Sequence, residues 1–130
     1  MVEPGPLEVQ AHLLISSLLV HCKDRFVMEG FCRAERLDGL QEETLEYLAQ
    51  CDVDLTPITN DFADGYPAGN KLIAANAVTG ADWYLFMDTD MVMVRDASIV
   101  SQIAQGQVGL CLDTINGWNN EDAQWKLLFG

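Results

Sequence analysis

One stretch constrains the fold of this chain more than any other. It is an apolar and aromatic run, residues 83–87, that begins shortly after Gly80 and is followed at once by acidic residues. Such an unbroken run is typical of a strand buried on both faces, as in the middle of a parallel sheet. Asp88 and Asp90 follow it directly. In an extended chain their carboxylates leave the same face, roughly 6.6 Å apart at Cα. One small, hard cation fits between two carboxylates at that spacing.

The same Asp-Thr-Asp also has a purely structural interpretation. One carboxylate can cap the next segment while the other is solvated at the end of the strand. Two carboxylates on one face repel each other, so a metal or a shared proton must offset the repulsion, or water must dilute it. The neighbouring residues therefore carry weight in choosing between the two interpretations.

A chain of 130 residues fits one domain with a genuine core. Residues 1–8 contain two prolines and a glycine, which predicts a flexible lead-in. Residues 9–130 are then a single domain. No apolar run approaches the roughly 18 residues that a membrane span needs, so no transmembrane segment is expected.

The formal net charge of −13 argues against binding to nucleic acid or to an anionic membrane surface. An anionic substrate would need a cation to hold it on such a protein. The four cysteines are scattered without Cys-X-X-Cys spacing. Free thiols in a reducing compartment are therefore expected, which predicts a cytoplasmic location.

The rest of the chain alternates between strand and helix patterns, which predicts an α/β domain with a mainly parallel sheet. Ligands of such domains bind beyond the carboxyl ends of the strands. Residues there would include the serines of the first strand and the acids that follow later ones: Ser16, Ser17, Asp88, Asp90 and Asp113. Strands are predicted over residues 12–20, 52–58, 83–87 and 108–112, helices over 25–37, 42–50, 70–79, 97–105 and 121–129, and loops over 59–69 and 114–120.

The helix over residues 42–50 has a start signal of its own. Asp38, with Gln41 three residues later, resembles a capping box. Leu45 and Leu48 are predicted to face the core.

Three segments together carry a resemblance to a known family. Gly-Tyr-Pro-Ala-Gly-Asn-Lys-Leu (65–72), Leu-Phe-Met-Asp-Thr-Asp (85–90) and Val-Arg-Asp (94–96) resemble the central part of GT-A-fold glycosyltransferases, the nucleotide-diphospho-sugar transferases. The pattern covers roughly residues 11–113, and its specific part is 65–96. The resemblance implies a three-layer, Rossmann-like α/β domain with a mainly parallel sheet, corresponding to the N-terminal nucleotide-binding part of such an enzyme and truncated on its C-terminal side.

The resemblance also implies roles for particular residues. Asp88 and Asp90 would hold Mn²⁺ or Mg²⁺ against the two phosphates of a nucleotide-sugar donor. The acceptor, a glycan, a lipid or a protein, stays unidentified, and so does the catalytic base, which the family supplies from its second half. The other implied contacts are Asn70, Lys71, Ser16, Ser17 and Thr89 on the donor side, and Asp113 and Asn116 on the acceptor side.

The physical chemistry agrees with these roles. An acidic protein repels a diphosphate, and an oxygen-liganded cation with water in its shell bridges carboxylates and phosphates. Lys71 adds one flexible positive charge at the same place. Asn70 also has an interpretation as a plain N-cap, and Lys71 as a first-turn surface lysine; without the neighbouring acidic pair these would be preferred.

Functions of other classes fit the pattern less well. An inactive fragment or interaction domain of the same fold stays open. A receiver-type signalling module would need an acidic pair where this chain has Ser16 and Ser17. A metal-dependent phosphatase of the haloacid-dehalogenase type also uses Asp-X-Asp after an apolar strand, but it needs a downstream lysine and acidic loop, and here the motif comes late in the chain.

Overall fold

The computed structural model describes residues 1–61, 69–77, 80 and 83–98. Within these residues the fold is α/β, with one small sheet of two parallel strands. The strands pair from Met28 opposite Val53 to Arg33 opposite Ile58. The elements, in chain order, are α1 (Pro6–His21), β1 (Met28–Arg33), a 3-10 helix (Ala34–Gly39), α2 (Glu42–Gln50), β2 (Val53–Ile58) and α3 (Gly69–Ala77).

The strand predicted over residues 12–20 is wrong, because this segment belongs to helix α1. Pro6 stands in the first turn, where its fixed φ suits a helix and its missing N–H costs nothing. The buried apolar residues Ala11, Leu14 and Ile15 follow helical spacing rather than alternation. An apolar run without clear periodicity does not distinguish a strand from a buried helix, and the helix start was the missed signal.

Residues 1–8 differ from the predicted flexible lead-in, because they are packed against the rest of the chain. Val2 and Glu3 are buried, and the Val2 N–H donates to the Phe31 carbonyl at 2.8 Å. Arg33 donates from Nε and Nη2 to the two Glu3 carboxylate oxygens at 2.6 and 2.7 Å. This bidentate salt bridge holds the N-terminal residues against the end of β1.

The helix predicted over residues 25–37 is also wrong. Its centre forms β1, and its last four residues belong to the 3-10 helix. Gly30 lies in β1, where an added Cβ would stand 3.4 Å from side-chain atoms of Val2, Val53 and Leu55. A glycine inside a strand often marks a close approach of another segment, as it does here, so the helical spacing of the apolar residues does not decide the structure of this segment.

Helix α2 has the predicted bounds, but its start and its buried face differ from the prediction. Gln41, not Asp38, is the N-cap residue. The backbone N–H of Gln41 donates to Glu8 Oε2 at 2.9 Å, so the cap comes from α1 rather than from a local side chain. Leu48 is buried at 2% exposure as predicted, whereas Leu45 is 42% exposed.

The strand predicted over residues 52–58 is confirmed as β2, and the helix predicted from residue 70 is confirmed as α3, which begins one residue earlier at Gly69. Residues 62–68 of the predicted loop, and 78 and 79 of the predicted helix, lie outside the described residues. One part of the core joins α1 and α2 to the sheet. It contains Val2, Ala11, Ile15, Cys32, Leu40, Leu48 and Val53.

A second part of the core seats α3 beside the carboxyl end of β2. Ala74 of α3 is buried together with Phe31 of β1 and with Ile58, the last residue of β2. Ile73 packs against this cluster. Helix α3 therefore packs beside the end of β2, and ligands of parallel sheets bind beyond the carboxyl ends of the strands.

Residues 83–87 do not form the predicted buried strand, and they have no regular secondary structure. Tyr84, Leu85 and Phe86 are 56%, 53% and 48% exposed. A strand exists only where its backbone finds a ladder partner, and the described sheet consists of β1 and β2 alone. The helix predicted over 97–105 also fails at its start, since Ala97 forms an isolated parallel bridge with Cys22. The predicted elements beyond residue 98 lie outside the described residues.

Among the helices that the structure describes, none combines the length and the apolar character needed to cross a bilayer.

Candidate functional site

The acidic turn, defined here as residues 88–90, lies beside the first turn of α3. Lys71 Nζ donates to Asp88 Oδ2 at 2.7 Å. The same ammonium stands 5.9 Å from the centre of the Phe86 ring. The structure therefore brings together two predicted site residues, Asp88 and Lys71, that are seventeen positions apart in sequence.

The other two residues of the acidic turn are held by the backbone. The Met91 N–H donates to the Asp88 carbonyl at 3.1 Å, which closes a tight turn through Thr89 and Asp90. Thr89 is half-buried and Asp90 is exposed. The extended geometry assumed for the pair is wrong, because the chain reverses at these residues instead of continuing a strand.

Asn70 lies inside α3, which begins at Gly69, and is buried, so it is not the N-cap that the sequence suggested. Its Oδ1 atom has no hydrogen-bond partner within the described part of the chain. A buried amide oxygen without a donor is costly, which sets Asn70 apart from the neighbouring polar residues.

The two predicted donor-side serines lie on helix α1, not at the end of a strand. The Ser16 hydroxyl is 2.6 Å from that of Tyr47 on α2, which in turn donates to the His12 carbonyl at 3.2 Å. Ser17 donates to the Leu14 carbonyl at 2.7 Å and accepts the backbone N–H of Met93 at 2.9 Å. Ser17 thus contacts the chain just after the acidic turn, whereas Ser16 contacts α2.

A second tie joins the end of α1 to the chain that follows the acidic turn. Asp96 accepts from His21 Nδ1 at 2.9 Å and from Lys23 Nζ at 2.8 Å. The Lys23 ammonium first, and His21 second, hold the pKa of Asp96 below its usual range. The backbone repeats this contact, since the Lys23 N–H donates to the Ala97 carbonyl and the Ala97 N–H donates to the His21 carbonyl. Sequence reasoning missed this pairing because its partners are about seventy-five residues apart and no local pattern links them.

The side chains of the acidic turn are of the kind that hard divalent cations prefer as ligands. Asp88 and Asp90 offer carboxylate oxygens at an accessible place, the Asp88 side chain being 38% exposed. No group of three or more His, Cys, Asp or Glu side chains gathers within the residues that the structure describes. Two carboxylates therefore leave most of a cation's shell to phosphate oxygens and water, which is how Mg²⁺ is usually bound beside phosphates.

The predicted acceptor-side residues, Asp113 and Asn116, lie outside the described residues and stay predictions.

Comparison with protein families shows the family to which the chain belongs. The model of a Rhodobacterales glycosyltransferase domain matches residues 1–130. The chain belongs to this family. Searches of curated proteins and of solved structures found no significant match. Membership of a glycosyltransferase family implies two substrates, a sugar donor and an acceptor.

Proposed function

We propose that this glycosyltransferase domain takes its sugar from a nucleotide-diphospho-sugar, and that Asp88 and Asp90 hold the Mn²⁺ or Mg²⁺ that binds the donor's diphosphate. The proposal includes the GT-A architecture, a three-layer Rossmann-like domain. The observation that carries it is the contact of Lys71 with Asp88, which puts a cationic and an acidic predicted donor-site residue at one place.

Charge supports a metal-dependent donor. A chain with a net charge of −13 repels a diphosphate unless positive charge is supplied locally. Lys71 supplies one such charge, and its side chain is 46% exposed and flexible enough to reach a ligand. A bound divalent cation would supply the remaining charge and act as a Lewis acid for the leaving diphosphate.

Of the other predicted donor contacts, we assign some to the donor site and others to structural roles. Thr89 lies within the acidic turn. Asn70 lies in the first turn of α3, and its buried Oδ1 atom has no hydrogen-bond partner among the described residues. Ser17 contributes by holding Met93. Ser16 faces Tyr47, so we assign it to packing of α1 against α2 rather than to the donor.

The test is calorimetric binding of nucleoside diphosphates in the presence of Mn²⁺, with Asp88→Asn and Asp90→Asn variants. Each variant removes one charged ligand, and we expect the metal-dependent affinity to fall by at least about tenfold, because cation affinity follows the charge of the ligand set. Asp54→Asn is the control, since Asp54 is exposed on β2.

Donor use is measured separately, by incubating a panel of nucleotide-sugars with Mn²⁺ and separating released nucleoside diphosphate and glycosylated product by chromatography. Unchanged metal-dependent binding in both Asp→Asn variants would refute the assignment of the acidic turn.

A further inference from the structure

Lys71 forms an ion pair with Asp88, one of the two carboxylates proposed to bind the cation. Its ammonium is 2.7 Å from Asp88 Oδ2, so it stands where a cation bound to that oxygen would be repelled. The two side chains are 46% and 38% exposed. An ion pair this open to water is weak and is readily exchanged for another partner.

We propose that Lys71 guards the acidic turn: it competes for Asp88 with a divalent cation that arrives alone, and it moves to a phosphate oxygen when the cation arrives with a nucleoside diphosphate. This inference rests on the proposed function, since it assigns a second role to a residue of the same site. As a consequence, the domain binds the metal–diphosphate complex in preference to the free metal ion.

The charges of the site explain why the two cases differ. Asp88, Asp90 and Lys71 together carry a net charge of −1, against −2 without the lysine. A free dication therefore meets a site whose attraction is half neutralised, and its binding leaves the ammonium without a partner. A diphosphate brings several anionic oxygens, so the released ammonium gains a new partner as it loses Asp88.

The side chain of Lys71 suits this exchange. A lysine ammonium is a compact charge on a flexible four-carbon stem, and its three donors rotate freely. The ring of Phe86, 5.9 Å away, keeps the ammonium near the acidic turn without fixing it to one oxygen.

The decisive variant is Lys71→Met, which keeps an apolar stem of similar length and removes the charge. Binding of Mn²⁺ alone is followed by the electron paramagnetic resonance signal of the free ion. Binding of Mn²⁺ together with each of a panel of nucleoside diphosphates is followed by calorimetry. We expect Lys71→Met to bind Mn²⁺ alone about threefold to tenfold more tightly, and the Mn²⁺–diphosphate complex more weakly, than the natural chain.

Lys23→Met is the matched control. Lys23 makes an equivalent exposed ion pair with Asp96 at 2.8 Å, so its loss changes the net charge and the number of ion pairs equally. It leaves Asp88 untouched, and its affinity for Mn²⁺ alone is expected to stay within about twofold of the natural chain, because Lys23 is paired with Asp96 and salt screens an exposed charge that does not contact the acidic turn. Lys71→Arg keeps the charge on Asp88 and is expected to bind Mn²⁺ alone no more tightly than the natural chain.

The outcomes separate this inference from the proposed function. If the natural chain binds the Mn²⁺–diphosphate complex but Lys71→Met binds Mn²⁺ alone no more tightly, the guarding role is refuted and the proposed function stands. Equal tightening in Lys71→Met and Lys23→Met also refutes it, because net charge then explains the effect. If neither the natural chain nor Lys71→Met binds Mn²⁺ with or without a diphosphate, both proposals fall.

Discussion

The backbone N–H of Met93 donates to the Ser17 hydroxyl at 2.9 Å, which joins the C-terminal half of α1 to the chain three residues after Asp90. The sequence suggested Ser17 as a contact of the nucleotide-sugar. In the structure its hydroxyl is engaged by two protein groups, the Leu14 carbonyl and the Met93 N–H. Ser17 is therefore placed to position the segment that carries the acidic turn.

The Ser17→Ala variant tests this positioning. Without the hydroxyl the Met93 N–H loses its acceptor, so we expect faster hydrogen exchange at the Met93 amide and a loss of about 1 kcal/mol in the free energy of unfolding. Hydrogen exchange read by NMR or by mass spectrometry of peptides measures the first effect, and urea unfolding measures the second. Ser17→Thr keeps an acceptor oxygen and is expected to restore slow exchange.

Ser16→Ala is the neighbouring control, because the Ser16 hydroxyl contacts Tyr47 and not Met93. Its Met93 exchange is expected to match that of the natural chain. Equal Met93 protection in Ser17→Ala and the natural chain would contradict the positioning role.

The sequence predicted some elements well because their signals are local. Helix α2 combines a polar face with a short apolar stripe, and its bounds came out as predicted. Helix α1 was mistaken for a strand because no Asp, Glu, Lys or Arg interrupts its apolar residues after Glu8. Its helical start at Pro6 and Glu8 was the local signal that would have corrected the assignment.

The buried face of α2 provides a direct test of its packing. Leu48 is 2% exposed in the core, whereas Leu45, on the same helix, is 42% exposed. We expect Leu48→Ala to lower the free energy of unfolding by about 2 to 5 kcal/mol, through lost burial and a cavity. Leu45→Ala, the same chemical change, is expected to cost less than about 1 kcal/mol. Urea unfolding measures both, and equal losses would mean that α2 packs by a different face.

In the candidate site, too, the residues that stand in local motifs could be predicted from the sequence, whereas the contacts between distant segments could not. Asp88, Asp90 and Lys71 stand in short motifs, so the sequence alone singled them out. Their surroundings depend on chain segments that meet only in the fold: Ser17 with Met93, and His21 with Asp96. No pattern within one segment encodes which distant segment it meets, so these contacts were beyond sequence reasoning.

The carboxylate of Glu8 joins the starts of two helices. Oε1 accepts the Gly5 N–H and Oε2 accepts the Gln41 N–H, both at 2.9 Å, so one buried side chain caps α1 and α2 together. Burial alone would raise the pKa of Glu8, but hydrogen bonds from Thr44, Gln41 and Gly5 outweigh burial and hold the pKa below its usual range. The ionised form is therefore the one that the fold stabilises.

The last prediction concerns the pH dependence that Glu8 imposes on stability. Because its pKa is lower in the folded chain than in the unfolded chain, its contribution is fully present above the unfolded pKa and is lost as the pH falls through the folded pKa. Glu8→Gln keeps one acceptor oxygen and leaves one helix start uncapped, so we expect a loss of about 1 to 3 kcal/mol near pH 7. The difference from the natural chain is expected to shrink as the pH falls below about 4. Urea unfolding across this range measures it, with the exposed Glu46→Gln as the control for a lost surface charge. A Glu8→Gln deficit that stays constant down to acid pH would show that the carboxylate charge does not contribute to the two caps.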